Sequence, residues 1–303
     1  MIRKYNLYQI DSFTKEKFTG NPAGVITNAD GLTDYEMQKI ARELNNSETA
    51  FIFSSDSSDY DTHVRFFTPT SEVPICGHAT IAAHYARAIE NELNSSRTYQ
   101  KTGAGILPVD IIKENNDYKI VMTQGKIEFG NIIEDESKKK LLIALNIKES
   151  DLLDNYKIQI VSTGHSKVMI GIKDIETLNS LKPDYDALSK LSKIIKCNGY
   201  YVFTVNQQEA DILINGRMFA PAVGINEDPV TGNANGPLGA YLVHYNHVKH
   251  NNSLFKFKIK QGEAINRAGI IEVEVKIEEG EPVEVKICGD AVIVFKSQLV
   301  LSE

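Results

Sequence analysis

With 303 residues, 42% hydrophobic and 24% charged, the chain has the composition of a folded globular protein and the length of about two domains. A net charge of −7 with no basic block argues against a nucleic-acid partner: the longest cationic run, Lys138 to Lys140, sits beside Glu134, Asp135 and Glu136. The sequence turns polar at once after Met1, and no stretch approaches the roughly 18 apolar residues of a membrane span, so a cytoplasmic setting is expected.

In chain order, Tyr5 to Phe13 alternates apolar and polar residues, and a turn at Gly20 to Gly24 leads into Val25 and Ile26, which predicts a β-hairpin. Thr33 or Asp34 caps a helix carrying Met37, Ile40, Ala41 and Leu44 on one face, and Asn45-Asn46 stops it. A buried strand follows at Ala50 to Phe53, then one at His63 to Phe67. After a Pro-containing loop comes a helix starting near His78. Residues 103–109 and 119–122 read as strands. The charged stretch 125–140 reads as the crossing to a second lobe. There, strands are expected at 158–161, 167–172, 199–205 and 210–219, with a helix over 185–195 and closing strands at 270–275, 283–287 and 291–295. The first lobe thus covers 1–124, completed by the strand 291–303, and the second covers 125–290.

An internal repeat organises this series. Arg65-Phe66-Phe67-Thr68-Pro69 leads through seven residues to Gly77-His78-Ala79, and Arg217-Met218-Phe219-Ala220-Pro221 leads through ten to Gly232-Asn233-Ala234. The fold expected is α+β and pseudo-symmetric, with two duplicated lobes. A lone Gly before a helix reads as an ordinary turn residue. The repetition favours a second use: two helix starts whose free N–H groups face one another across a cleft and hold a small organic acid. Pro237 fits a helix's first turn, where no donor is needed.

Several residues could carry chemistry. Glu48 lies between a helix end and an apolar strand and is either a surface-turn carboxylate or a partly buried general acid/base. His78 opens the first helix, and Asp228 stands in the matching loop of the second, either as a turn residue or as a partner in proton transfer. His244, His247 and His250 recur every third residue but lack acidic or Cys ligands nearby, so no metal is expected. Cys76, Cys197 and Cys288 are far apart in sequence and suggest reduced thiols rather than a disulfide framework. Gly20 to Gly24 is no nucleotide fingerprint.

Five motifs in order carry a resemblance: Asp11-Ser12-Phe13 with Phe18 to Val25, Asn46 to Phe51, Arg65 to Pro69, Cys76 to Thr80, and Glu227 to Ala234. The chain resembles the PhzF-like phenazine biosynthesis family over nearly its whole length. The resemblance implies the diaminopimelate epimerase-like fold, two lobes each with a mostly antiparallel sheet wrapped about a central helix, and a homodimer. It implies a cofactor-independent isomerase, which in the best understood members acts on a dihydro-hydroxyanthranilate through a Glu that moves a proton between carbons. Glu48 matches that Glu, and His78 and Asp228 match polar groups of the pocket. Gly77, Gly232 and Asn233 match substrate-binding positions, with Asn233 standing where phenazine-pathway members tend to carry Ser. Two rivals share the fold. A racemase or epimerase needs paired thiols, for which Cys76 has only Thr231 as counterpart; a silent binding protein needs no intact Glu48, His78 and Asp228.

Overall fold

The computed structural model describes residues 2–206 and 208–302. The chain divides into unit 1, Met1–Thr123 with Cys288–Glu303, and unit 2, Gln124–Ile287.

Unit 1 opens with β1 (Ile2–Ser12) antiparallel to β2 (Asn21–Ile26), the hairpin read from the sequence. Helix α1 (Asp34–Leu44) starts on a capping box: Thr33 accepts from the Glu36 backbone N–H while Glu36 reaches back to Thr33. It carries the chain to β3 (Glu48–Ser54), parallel to β2, and β4 (Thr62–Phe67) and the short β5 (Glu72–Val73) follow antiparallel. Helix α2 (Gly77–Glu90) leads to β6 (Ser96–Thr102), parallel to β4, and β7 (Gly105–Glu114) and β8 (Asp117–Thr123) complete a meander. The strand Ala291–Ser302 returns from far along the chain to pair with β1.

The two helices of this unit play different parts, and their composition says why. Met37, Ile40 and Ala41 of α1 bury one stripe against Tyr5, Ile26, Phe51 and Phe67. Helix α2 is buried on every side from His78 to Ala86 and packs against β1, β2, β3 and β8. Its run of small residues, Ala79, Ala82, Ala83 and Ala86, lets the sheet close around it.

Unit 2 repeats this plan. It begins with β9 (Glu128–Ile132), α3 (Asp135–Leu145), β10 (Gln159–Ser162) and β11 (Lys167–Gly171). Helices α4 (Ile175–Ser180) and α5 (Tyr185–Ile195) lead to β12 (Tyr200–Val205), β13 (Ile214–Ala220) and β14 (Ile225–Asp228). Helix α6 (Gly232–His244) precedes β15 (Leu254–Gln261), β16 (Gly269–Glu278) and β17 (Glu281–Gly289), and Ala291–Ser302 is β18. The pairings β10–β11, β11–β12, β12–β13, β13–β14, β13–β15 and β15–β16 reproduce the senses of β1–β2, β2–β3, β3–β4, β4–β5, β4–β6 and β6–β7. β9 lies against β10 as β18 lies against β1. Helix α6 is the buried central helix, while α3 and α5 cover the other face with Leu141, Leu145, Leu188 and Leu191 against Val168, Ile170 and Val202. Among the described residues no helix is long and apolar enough to cross a membrane.

Three expectations need correction. The stretch 125–140 is not a bare crossing: it holds β9 and the first turns of α3, whose buried Leu141, Leu142, Ala144 and Leu145 come only after the three lysines. The strand expected over 103–109 starts at Gly105, which turns the chain at φ +112, and its partner β6 escaped notice. Pro237 sits past the first turn of α6, as its sixth residue, so its missing N–H falls where an intrahelical donor is normally required.

Burial inside α2 also gives a pH dependence. His84 is fully buried, its Nε2 lies 3.0 Å from Gln100 Oε1, and its Nδ1 has no hydrogen-bond partner among the described residues. Burial pushes its imidazole down to about 4. The folded value lies below the unfolded one of about 6.5, so the unfolded chain binds the proton first, and stability falls as pH drops from about 6.5 toward 4. We expect a loss of about 3 kcal/mol across that window, at 1.36 kcal/mol per unit, in urea melts. His84→Gln should flatten the slope; a slope unchanged in that variant would assign it elsewhere.

Candidate active site

In unit 1 the start of α2 and the start of β3 bring Glu48, Cys76, Gly77 and His78 together. Cys76 is the N-cap of α2 in extended conformation and makes no side-chain cap, which leaves its thiol facing His78, with Sγ 3.4 Å from Nδ1. The other ring nitrogen, Nε2, lies 3.4 Å from Glu48 Oε2 and 3.3 Å from Ser47 Oγ. Both side chains are nearly buried, 12% exposed for Glu48 and 7% for His78. The helix start is pinned by Ser12 Oγ donating to the His78 carbonyl at 2.8 Å and Thr80 Oγ1 donating to the Cys76 carbonyl at 2.7 Å. Glu48 is the first residue of β3, and its neighbour in register on β2 is the small, fully buried Ala23.

Glu48, Cys76 and His78 offer three ligand-type atoms within 4.8 Å of one another. However, Cys76 approaches Nδ1 more closely than Nε2, at 3.4 against 3.9 Å, while Glu48 faces Nε2. One ion coordinates one ring nitrogen, so the arrangement suits a carboxylate and an imidazole sharing a proton better than a metal. The three histidines at the end of α6 have separate partners: His244 Nδ1 lies 2.7 Å from Glu281, His247 stacks on Tyr156 at 3.7 Å, and His250 Nδ1 accepts from the Asn252 N–H.

In unit 2 the matching residues form a buried hydrogen-bond network. Asp228 ends β14 and accepts from the Thr231 hydroxyl, and Thr231 is the N-cap of α6. Gln261 Nε2 donates to the Asp228 carbonyl at 2.9 Å and to Thr231 Oγ1 at 3.1 Å, while its Oε1 accepts from the Thr231 N–H and from Asn235. Tyr201 donates to Asn235 Oδ1, and burial pushes its phenol up. Gly232 is the first residue of α6; its carbonyl and the Asn233 side-chain oxygen both face Gln124 Nε2, at 3.0 and 3.3 Å. Thr163 holds Gln124 from behind, donating to its Oε1 at 2.6 Å.

The sequence reading missed Gln124, Thr163, Tyr201, Asn235 and Gln261. Asn235 and Gln261 carried a usable signal, since an amide within an apolar helix or at the end of an apolar strand must find partners when buried. Gly216 supports the network sterically: a Cβ there would lie 2.0 Å from the Tyr201 hydroxyl. Gly216→Ala should therefore push Tyr201 off Asn235, at about 2–4 kcal/mol from overpacking plus a freed buried oxygen. Thermal unfolding of Gly216→Ala beside Tyr201→Phe checks this, because Tyr201→Phe loses the hydrogen bond without the clash and should cost less.

Two units of one strand plan, each with a buried helix whose first residue is Gly, have the diaminopimelate epimerase-like fold. Residues 10–297 match the phenazine biosynthesis-like protein family, PhzC-PhzF, and the chain belongs to that family. It is 80% identical over 302 residues to an uncharacterized isomerase of Clostridium acetobutylicum, covering 100% of both chains. It is 28% identical over 298 residues to the trans-2,3-dihydro-3-hydroxyanthranilate isomerase of Pseudomonas fluorescens, covering 98% of this chain and 100% of that one. A crystal structure of a Bacillus anthracis PhzF-family phenazine biosynthesis protein superposes with a TM-score of 0.88 at 30% identity, over 99% of this chain and 100% of that one. The protein is an isomerase.

Proposed function

We propose that the protein is a cofactor-independent isomerase that moves a proton between two carbons of a small carboxylate-bearing substrate, with Glu48 as general acid/base. The observation that carries this reading is the nearly buried Glu48–His78 contact at the start of α2, 3.4 Å between Oε2 and Nε2. Glu48 as carboxylate takes a proton from a carbon next to an unsaturated bond, and the electron pair of that C–H bond moves into the conjugated system. The protonated Glu48 then returns the proton to a second carbon, and the double bond shifts. His78 donates to the charge that develops meanwhile. Asp228, which accepts from the Thr231 hydroxyl, is the carboxylate that meets donor groups of the substrate. Gly77 and Gly232, each the first residue of its helix, leave backbone N–H groups for the carboxylate, and Asn233 adds a side-chain amide.

The 28% identical relative is named for trans-2,3-dihydro-3-hydroxyanthranilate, an unsaturated ring acid, which makes that compound the first probe. The test is deuterium exchange at carbon in D2O, with this compound and with amino acids. Exchange that survives Glu48→Gln at full rate overturns the reading. The 3.4 Å approach of Cys76 Sγ to His78 favours one alternative, a thiolate base in an epimerase; exchange lost in Cys76→Ala and kept in Glu48→Gln would select it. Against it, the counterpart of Cys76 in unit 2 is Thr231, whose hydroxyl is donated to Asp228.

A further inference from the structure

Three helices of the chain are closed by their own N-cap side chains. Thr33 accepts from the Glu36 N–H at α1, Asp174 from the Thr177 N–H at α4, and Asp184 from the Ala187 N–H at α5. The two buried central helices depart from this pattern. Neither Cys76 at α2 nor Thr231 at α6 makes a side-chain cap. Each turns instead to an ionisable residue of its own unit: the Thr231 hydroxyl donates to Asp228, and Cys76 Sγ lies 3.4 Å from His78 Nδ1. A thiol is a poor capping group, so at α2 the helix does not compete for it.

The proton in the Cys76–His78 contact is assigned from the far side of the ring. Nε2 faces Glu48 Oε2 at 3.4 Å and Ser47 Oγ at 3.3 Å. A carboxylate only accepts, and an imidazole holds a proton more tightly than a carboxyl group, so the proton between the two sits on Nε2. A neutral imidazole then has a bare lone pair on Nδ1, and a buried acceptor calls for a donor. The Cys76 S–H is that donor: Sγ is closer to Nδ1 than to Nε2, at 3.4 against 3.9 Å, and Cys76 and His78 are each 6% exposed. Ser12 and Thr80 hold the backbone of the same two residues, donating to the His78 and Cys76 carbonyls.

We infer that Cys76 is a positioning residue of the isomerase: its thiol, withheld from capping α2, donates to His78 Nδ1 and fixes the imidazole tautomer whose Nε2–H faces Glu48. The hydrogen bond made by one ring nitrogen sets the role of the other. With Nδ1 occupied, Nε2–H is the single donor of the ring. It holds Glu48 as a carboxylate before proton transfer and, once Glu48 has taken the proton, is released to the charge on the substrate. The inference rests on the proposed function only for that use of the Nε2 proton. The same diversion leaves the first N–H groups of α2 uncapped by Cys76, as Thr231 leaves those of α6.

The experiment is ¹⁵N NMR of the full chain labelled in its histidine rings, with the His78 signals assigned by their loss in His78→Phe. In the parent protein Nε2 should carry the proton and Nδ1 should be bare and hydrogen-bonded. In Cys76→Ala the Nδ1 signal should move downfield, toward that of a lone pair without a donor. A protonated Nδ1 in the parent, from a thiolate–imidazolium pair or from the opposite tautomer, overturns the inference, and so does an Nδ1 signal that Cys76→Ala leaves unmoved. Should Cys76→Ala not fold, infrared absorption reads the same bond from the sulfur: one S–H stretch should rise in frequency in His78→Phe, and S–H bands that all stay in place overturn the inference. Cys76→Ala should also slow carbon–proton exchange by about 3–10-fold, the worth of one hydrogen bond, at unchanged binding of the probe. Exchange at full rate in that variant, or its complete loss, overturns the positioning role. Exchange that persists in Glu48→Gln would sink the proton-transfer reading while leaving the spectroscopic result standing.

Discussion

Replacing Arg217 by Ala is expected to cost about 3–5 kcal/mol of stability, while Arg65→Ala at the matching position of unit 1 should cost under about 1 kcal/mol. Both guanidinium groups lie over a Phe ring, Arg65 at 5.2 Å from Phe67 and Arg217 at 5.0 Å from Phe219, and both pair with a Glu on the next strand. Burial separates them. Arg217 and Glu227 are 6% and 7% exposed, and Arg217 Nη1 also donates to the Leu178 and Leu181 carbonyls at the end of α4, at 2.9 and 3.0 Å. Its loss strands a buried carboxylate and two buried carbonyl oxygens. Arg65 is 20% exposed and its partners Asp34 and Glu72 are 79% and 43% exposed, so water takes its place. Urea midpoints of the two variants, at unchanged slope, measure the difference. Equal shifts would show that burial is not what distinguishes the copies. A double variant, Arg217→Met with Glu227→Leu, should recover much of the loss, because the penalty of breaking a buried pair lies mainly in the partner left behind.

Glu48→Gln is expected to slow carbon–proton exchange by about 10²–10⁴-fold, the usual worth of a positioned general base. The amide keeps the size and the neighbour of the carboxylate, and the nearly buried setting beside Ala23 and His78 stays filled. The fold should therefore survive, and binding of the probe, read by calorimetry, should change far less than exchange. His78→Asn should lower exchange by a smaller factor, since Glu48 can still abstract the proton without it. An exchange rate within tenfold of the parent in Glu48→Gln, with the protein folded, would remove Glu48 from the reaction.

Much of the arrangement could be read from residue order. The two Arg-x-Phe-x-Pro motifs located the duplicated strand, loop and helix, and Thr33 and Asn45 bounded α1 because capping chemistry is local. What stayed hidden depends on contacts distant in sequence. Helix α3 begins with Asp135, Glu136 and three lysines, which read as a solvated linker; only its second half meets the core. Strand β6 alternates weakly, with Tyr99 45% exposed, so its pairing with β7 is what defines it. The contact of Glu48 with His78 spans three strands, and no spacing rule reaches that far.

The pairing of β1 with β18 sets an order on folding during synthesis. β1 leaves the ribosome long before β18, so one of its two neighbours emerges only after the whole of unit 2 has been made. The segment 124–287 is contiguous, whereas unit 1 must keep one edge of β1 open until β18 is made. Such a late, long-range contact slows folding and leaves a strand edge available to other nascent chains. The alternating, partly polar surface of β1, with Arg3, Lys4 and Asn6 near its start, is the kind of edge that resists such pairing until its own partner arrives.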